Sequence, residues 1–363
     1  MLKLMRAPSK YVQGKDALLE LYDHVKDLGN SFLFICSKSG IKAAQPKIEK
    51  SFAGKEAKIQ FEVFGGISST SEIAKMQKIA RDNQIEVICA IGGGSAIDTA
   101  KAAAFYEKLP VVIIPTVCAT DAPCTGLSVI YHDDGTFSHY IFYPKNPDAV
   151  IVDSSIIVKA PVRFLVAGMG DALGTYFEAR MCLKTNSPSL ENGGITKSAM
   201  ALCELCYETL LEDGYKAMKA AKQGVLTPAV EAIIEANTYL SGVGADNGGL
   251  ATSHSVYNGF TALEECEGTM HGELVAFGTL AQLILEDAPM EEMEEVIDFC
   301  LSVGLPVTLE QIGVTDKTRV LIAAEKACAP GESIHNMLGD VTPDQLYNAL
   351  LAADAFGMEY LGK

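Results

Sequence analysis

The sequence predicts an α/β protein whose first half is a mostly parallel, Rossmann-like sheet and whose second half is all helical. Two observations lead to this prediction. Short apolar runs rich in Ile, Val and Phe alternate with helical patterns up to about residue 160. After Pro161 the strand patterns stop, and long amphipathic stretches follow. We therefore expect an α/β domain over residues 1–160 and an all-helical domain over residues 161–363.

The strands of the first half are predicted at 32–36, 59–64, 87–91, 111–114 and 150–152. Helical patterns lie between them at 40–52, 71–83 and 95–106. This alternation is typical of βαβ units, in which successive strands run parallel. A hairpin is predicted at 127–143, because Asp134-Gly135 is a favourable turn between two β-rich runs. In the second half, helices are predicted at 163–184, 196–213, 227–243, 272–286, 290–303 and 343–361.

The composition of the 363-residue chain is that of an ordinary globular protein, with 48% hydrophobic and 21% charged residues. A net charge of −17 argues against nucleic acids and anionic membranes as partners, because both bind basic surfaces. The N-terminal residues lack the apolar core of a secretory signal. Several of the ten cysteines lie inside apolar runs, as buried reduced thiols do. We expect a cytoplasmic protein.

Three glycines interrupt the stretch AIGGGSAIDTAK at residues 90–101, between a buried strand pattern and a helical pattern. Ser95 and Asp98 form an S-x-x-D capping pattern where the helix begins. The free N–H groups and the helix dipole at such a turn can hold a phosphate. The spacing departs from the dinucleotide fingerprint G-x-G-x-x-G, since Ile97 occupies the third glycine position. On the loop alone, phosphate binding and a purely structural turn are equally supported.

Two histidines and one aspartate of the helical half are candidate metal ligands. His254 lies in GGLATSHSVYNGF and His271 in GTMHGELVAFG, both near glycine-rich breaks. Asp171 lies in AGMGDALGTYFEAR, inside an otherwise apolar helix where a charged group needs a partner. One carboxylate and two imidazoles suit a catalytic zinc ion with open positions. The long spacing is not diagnostic, and core or capping roles are the better supported alternative on spacing alone.

As a set, seven motifs resemble the zinc-dependent glycerol dehydrogenase branch of the iron-containing alcohol dehydrogenase superfamily. The motifs are FGG, IGGGSAIDTAK, PTVCATDAPCTGLSVIY, GMGDALGTYFEAR, EANTYLSGVG, HGELVAFGTL and GESIHNM. The resemblance covers nearly the whole chain. It implies the dehydroquinate synthase-like fold, with a cofactor-binding α/β domain and a helical domain that binds metal and substrate. It also implies a homo-oligomer, which is an octamer or a smaller assembly in relatives.

The resemblance implies a catalytic Zn²⁺ ion held by Asp171, His254 and His271, with Asp121 in contact with the polyol hydroxyls. These four residues would form the catalytic and substrate-binding site. The implied reaction is NAD-dependent oxidation of glycerol and related vicinal diols, with dihydroxyacetone as the product from glycerol. Zinc would polarise the reacting hydroxyl, and hydride would pass to the nicotinamide.

The cofactor residues follow from the same resemblance. It implies that Gly93, Gly94 and Ser95 hold the pyrophosphate of NAD and that Asp98 lies near the nicotinamide end. The other implied contacts in the NAD cleft are Thr116, Thr120, Thr125, Leu127 and Tyr131.

The sequence departs from the family pattern at two places. Iron-dependent members carry D-x-x-x-H on the first ligand helix, whereas here the fourth residue after Asp171 is Thr175, which favours zinc over iron. NAD-specific relatives often place an acidic residue after the first strand to bind the ribose 2′-hydroxyl. Here Ser37 and then Lys38 stand at that place, so NADP is a possible second cofactor.

Other functions remain open on the sequence. Dehydroquinate synthases and glycerol-1-phosphate dehydrogenases share this architecture, but they take phosphorylated substrates and should place Lys or Arg near the metal. Around the three ligands the sequence offers Arg180 alone, some way along a helix. A reductase of hydroxyacetone or another small carbonyl is a further alternative, and a non-catalytic nucleotide-binding or assembly protein is a third.

Overall fold

In the computed structural model, which describes residues 1–362, the strands form one large sheet and one hairpin. Within these residues there are eight strands: β1 (Tyr11–Gly14), β2 (Ser31–Cys36), β3 (Lys58–Val63), β4 (Val87–Gly92), β5 (Val111–Pro115), β6 (Leu127–Tyr131), β7 (Phe137–Phe142) and β8 (Ala149–Asp153). Six of them pair in parallel in the order β1-β8-β5-β4-β2-β3. The predicted mostly parallel sheet is confirmed, with β1 as an additional strand.

The apolar runs of the sequence become the inner strands of the sheet. All residues of β2, β4, β5 and β8 are buried, as expected for a parallel sheet covered on both faces. Phe52 packs edge-on against Phe32 of β2, with ring centroids 5.2 Å apart. Such burial stabilises the fold by about 1.5–3 kcal/mol for each large apolar side chain.

The order of the strands determines where a ligand can bind. From β2 the chain moves outward to β3, and from β4 it moves to β5 on the opposite side. The carboxyl ends of β2 and β4 therefore flank the point at which the strand order reverses. In open α/β sheets a crevice for ligands forms at this point.

Helices surround the sheet and make up the second half of the chain. The described residues contain fourteen α-helices: α1 (Leu21–Val25), α2 (Lys38–Phe52), α3 (Thr70–Asp82), α4 (Gly94–Glu107), α5 (Ser154–Ile157), α6 (Val162–Thr185), α7 (Lys197–Ala221), α8 (Pro228–Glu235), α9 (Ser241–Gly248), α10 (Thr252–Phe260), α11 (His271–Leu285), α12 (Met290–Val303), α13 (Val320–Ala327) and α14 (Pro343–Tyr360). None of the described helices is both long enough and apolar enough to span a membrane.

The predicted hairpin is present as the antiparallel pair β6 and β7, with a register shift at Ile130/Tyr131. The segment predicted as one helix over 227–243 consists of α8, a π-helical turn at Ala236–Leu240 and the start of α9. Helices α10 and α13 were not predicted, because each spans fewer than three turns.

The chain forms two compact units, and each contains more than one stretch of sequence. One unit contains the sheet and consists of residues 6–164 and 220–242. The other contains residues 1–5, 165–219 and 243 onward. Asp171, His254 and His271 all belong to this second, helical unit.

Candidate active site

Three predicted ligands meet in the helical unit. One ligand atom each from Asp171, His254 and His271 lies within 4.8 Å of the others. The Oδ1 atom of Asp171 lies 2.9 Å from Nε2 of His271 and 3.4 Å from Nε2 of His254. Asp171 is 1% exposed, while the two imidazoles are partly exposed. The cluster therefore offers one carboxylate and two imidazole nitrogens to a shared centre, open on the side of the histidines.

Close helix crossings bring these side chains together. Asp171 lies within α6, His254 in the first turn of α10, and His271 at the start of α11. A Cβ atom on Gly272 would come 1.8 Å from the carbonyl oxygen of Ala167, so α6 and α11 touch backbone to backbone. The sequence shows glycines beside Asp171 and His271, but only the folded structure shows their close backbone contacts.

Helix α10 is held equally closely at its first turn. A Cβ atom on Gly278 of α11 would come 2.6 Å from the carbonyl oxygen of Ser253. A Cβ atom on Gly174 of α6 would come 3.3 Å from the Cβ of Ser253. Ser253 precedes His254, so these contacts place the imidazole beside the other two ligands.

A fourth buried side chain, Glu178, completes the surroundings of His254. Its Oε2 atom lies 2.6 Å from Nδ1 of His254. Its Oε1 atom accepts hydrogen bonds from the backbone N–H groups of Ala251 and His254 at 2.8 and 3.0 Å. Glu178 was not predicted as a site residue, although it follows Asp171 by two helical turns on the same face of an apolar helix.

The charges of the cluster depend on one another. Burial opposes ionisation of Asp171, but His271 and His254 outweigh burial and hold the pKa of its carboxyl well below the ordinary value. Burial also opposes charge on His254, yet Glu178 and Asp171 raise the pKa of its imidazole well above the ordinary value. The carboxylates of Asp171 and Glu178 thus favour a positive charge on the group that lies between them. Together with the oxygen and nitrogen donor set, this fits a divalent zinc-like cation.

The glycine-rich turn lies at the second candidate site. A cavity of about 730 Å³ extends along the carboxyl ends of β2 and β4 in the sheet-containing unit. Its lining includes Ser37, Lys38, Gly93, Gly94, Ser95 and Thr116. Of the nine predicted cofactor residues, four therefore line this cavity.

The start of α4 has the features of a phosphate site. Its N-cap residue, Gly93, provides no side-chain cap, so the first N–H groups of the helix have no side-chain acceptor at this position. A Cβ atom on Gly94 would meet Thr120 Oγ1 at 3.9 Å as its one neighbour, which is an ordinary contact. Packing within the protein therefore does not require glycine at 94. A ligand lying on the backbone would require it.

The other five predicted cofactor residues lie outside the lining of this cavity: Asp98, Thr120, Thr125, Leu127 and Tyr131. Two of them bind Lys101, whose Nζ donates to the Thr125 hydroxyl at 3.1 Å and to the Leu127 carbonyl at 3.0 Å. Asp98 Oδ2 accepts from the backbone N–H of Val129 at 3.2 Å. Burial raises the pKa of Asp98 to about 6, against the opposing effect of Lys101.

Two further predicted residues have defined backbone or side-chain partners. The Tyr131 N–H donates to the carbonyl of Ser68 at 2.9 Å, where β6 lies beside the segment before α3. Asp121 Oδ2 accepts a hydrogen bond from the Ser241 hydroxyl at 3.1 Å, and Asp121 is partly exposed. Its carboxylate is therefore held in one orientation with part of its surface open.

Comparison with known proteins identifies the family. The model for iron-containing alcohol dehydrogenases matches residues 8–154. A glycerol dehydrogenase of Citrobacter freundii is 48% identical to this chain over the full length of both. The chain belongs to the iron-containing alcohol dehydrogenase family. Within this family, a glycerol dehydrogenase of Escherichia coli is 49% identical over 99% of this chain and 98% of its own.

A solved structure extends the family likeness to three dimensions. Glycerol dehydrogenase from Schizosaccharomyces pombe superposes with a TM-score of 0.95 at 37% identity, covering 99% of this chain and 93% of that one. The fold of the family is therefore present over 99% of the chain. Membership of this family makes the protein an oxidoreductase, as the motifs predicted.

Proposed function

We propose that the protein oxidises glycerol and related vicinal diols with NAD and forms dihydroxyacetone from glycerol. The observation that carries this proposal is the convergence of Asp171, His254 and His271 on one centre. The full-length similarity to glycerol dehydrogenases of Citrobacter freundii and Escherichia coli supports the same substrate class.

We propose zinc as the metal. The carboxylate of Asp171 and the Nε2 atoms of His254 and His271 would hold it, a donor set typical of catalytic zinc sites. The buried residue one turn after Asp171 is Thr175, so α6 supplies no imidazole at this position. When bound, the metal supplies Lewis acidity to a substrate hydroxyl, and the nicotinamide supplies the hydride acceptor.

The protein's own residues bind and orient the reactants in this proposal. Asp171 contributes a buried negative charge, and the partly exposed His254 and His271 leave one side of the centre accessible to a diol. Asp121, oriented by Ser241, would accept hydrogen bonds from substrate hydroxyls.

The N–H groups at the start of α4 would bind the pyrophosphate at Gly93, Gly94 and Ser95. Further contacts with NAD are proposed for Asp98, Thr116, Thr120, Thr125, Leu127 and Tyr131.

We propose NAD as the main cofactor, with NADP also accepted. Ser37, Lys38 and Lys159 line the cavity, and among the described residues of its lining none is acidic. A carboxylate that would repel a 2′-phosphate is therefore missing there. Steady-state kinetics with both cofactors tests this point. Comparable kcat/KM values support NADP acceptance, and a large preference for NAD contradicts it.

The alternative function, oxidation of glycerol 1-phosphate, requires a basic side chain near the metal to bind the phosphate. Arg180, on the same helix as Asp171, is paired instead with Glu286 at 2.8 Å and Glu292 at 2.5 Å. We therefore expect cofactor reduction with glycerol and none with glycerol 1-phosphate. A preference for the phosphorylated substrate would overturn the proposed function.

We also propose a cytoplasmic location and a homo-oligomeric state, octameric by resemblance. All ten cysteines are free thiols, and nine of them are buried, which fits a reducing compartment. Size-exclusion chromatography with light scattering tests the assembly, and a monomer at micromolar concentration would contradict it.

A further inference from the structure

Glu178 connects the metal centre to the start of α10. It is 0% exposed and lies on α6, two turns beyond Asp171. Its two oxygens have different partners. Oε2 contacts Nδ1 of His254 at 2.6 Å, and Oε1 accepts from the N–H groups of Ala251 and His254.

We propose that Glu178 is a positioning residue that fixes the imidazole of His254 with Nε2 directed to the metal. The proposal rests on the proposed function, since it assumes that the centre binds a cation. A carboxylate accepts hydrogen bonds and cannot donate one, so the proton of the contact lies on Nδ1. Nε2, which faces Asp171, then keeps its lone pair for the metal whenever the imidazole is neutral.

The charge of Glu178 has a second consequence. Asp171 and Glu178 are both fully buried, and each contacts His254. Two carboxylates together balance the double positive charge of a divalent ion in this buried region, whereas Asp171 alone balances half of it. Buried charges are stable when they are paired in this way.

A purely structural role for Glu178 is a distinct alternative. The N-cap residue of α10, Ala251, has no side chain that can cap the helix. Glu178 Oε1 takes over this function for the N–H groups of Ala251 and His254, and Gln282 Oε1 accepts from the N–H of Thr252 at 3.1 Å. The capping role uses Oε1, and the positioning role uses Oε2. A glutamine at 178 separates the two.

Glu178→Gln keeps the shape and one acceptor oxygen. If the amide oxygen caps α10, the NH₂ group faces Nδ1 of His254, which must then accept. The proton of a neutral imidazole moves to Nε2, where it blocks the metal. If the amide turns around, its NH₂ group meets two backbone N–H donors. That turned orientation keeps an acceptor for Nδ1 but leaves buried donors facing one another without an acceptor, so the first orientation is favoured. The side-chain volume is preserved in both.

The test measures zinc affinity by chelator competition in the full-length wild type, Glu178→Gln and the control Glu286→Gln. The side chain of Glu286, in the same unit, is 7% exposed, and its hydrogen-bond partners are Arg180 and Gln282, neither of which is a proposed ligand. We expect about a 10- to 100-fold loss of zinc affinity in Glu178→Gln. The control should bind zinc as the wild type does. Unchanged affinity in Glu178→Gln would overturn the proposal.

A spectroscopic readout separates positioning from capping. The chain has six histidines, so ¹⁵N-histidine labelling gives few signals. We expect a slowly exchanging Nδ1–H resonance of His254 in wild-type protein, with and without zinc, identified by its absence in His254→Asn. Its absence in the wild type, or its persistence unchanged in Glu178→Gln, would overturn the positioning role.

The two measurements keep this inference distinct from the proposed function. If wild-type protein binds no zinc, the proposed metal chemistry fails, whereas the Nδ1–H resonance of the zinc-free protein still decides the role of Glu178. If zinc binds normally and Glu178→Gln loses neither affinity nor the resonance, the positioning role fails and the proposed function stands.

Discussion

Gly170 of α6 lies against the backbone of Gly272 of α11: a Cβ atom on Gly170 would come 2.2 Å from the carbonyl oxygen of Gly272. Each glycine is the direct neighbour of a proposed metal ligand, Asp171 or His271. Because the two helices cross without intervening side chains, the Asp171 carboxylate reaches to 2.9 Å from the His271 imidazole. The geometry of the centre thus depends on the lack of a side chain at Gly170 and at Gly272.

Replacing Gly272 by alanine should separate α6 from α11. The added Cβ would lie 1.8 Å from the carbonyl oxygen of Ala167, so the backbones must move apart. We expect the free energy of unfolding to fall by about 1–3 kcal/mol or more, with loss of zinc affinity. Urea unfolding and chelator competition measure the two effects. Gly194→Ala is a matched control in the same unit, because its nearest neighbours are at 3.5 Å. Wild-type zinc affinity in Gly272→Ala would contradict this account.

Replacing Gly94 by alanine should affect the cofactor without harming the protein. The nearest atom to the new Cβ is Thr120 Oγ1 at 3.9 Å, and alanine favours a helix more than glycine does. We expect unchanged or higher thermal stability, unchanged zinc affinity and at least tenfold weaker NADH binding. Fluorescence titration of NADH measures the last effect. NADH affinity equal to that of the wild type would show that this loop is a structural turn with no role in cofactor binding.

The sequence predicted much of the fold because its signals are local. The buried runs that become β2, β4, β5 and β8 and the glycine turn before α4 can each be recognised within a short stretch. Strand β1 was missed, because YVQG is four residues long and only partly buried.

The candidate metal site was less accessible to sequence reasoning. Asp171, His254 and His271 are far apart along the chain, so residue type made them candidate ligands, but only the family resemblance favoured a shared metal over core or capping roles. The backbone contact at Gly170 and Gly272 is tertiary and has no local signal. Glu178 did have a local signal in the sequence, because it lies on the face of the apolar helix that carries Asp171.

Asp98 should make stability depend on pH. Burial raises its pKa to about 6 in the folded protein, from 3.8 for an ordinary aspartate. The folded state therefore binds this proton more tightly than the unfolded state does. The resulting stabilisation is complete below about pH 4 and is lost as the pH rises through 6. It amounts to about 3 kcal/mol at most, at about 1.4 kcal/mol per pH unit.

Urea unfolding of wild type and Asp98→Asn between pH 5 and 7.5 isolates this contribution, since all other groups are shared. We expect the wild type to lose stability relative to Asp98→Asn as the pH rises across this range. Parallel pH profiles of the two proteins would show that Asp98 titrates at its ordinary pKa.

We propose that Asp171, His254 and His271 hold a zinc ion that the oxidation of glycerol requires. The most direct measurement determines the zinc content and the glycerol-dependent formation of NADH in wild-type protein and in His271→Ala, with circular dichroism to verify the fold. We predict about one zinc ion per wild-type chain. We also predict the loss of both zinc and turnover in the folded variant. Normal glycerol oxidation by His271→Ala, or by wild-type protein stripped of metal, would contradict the account.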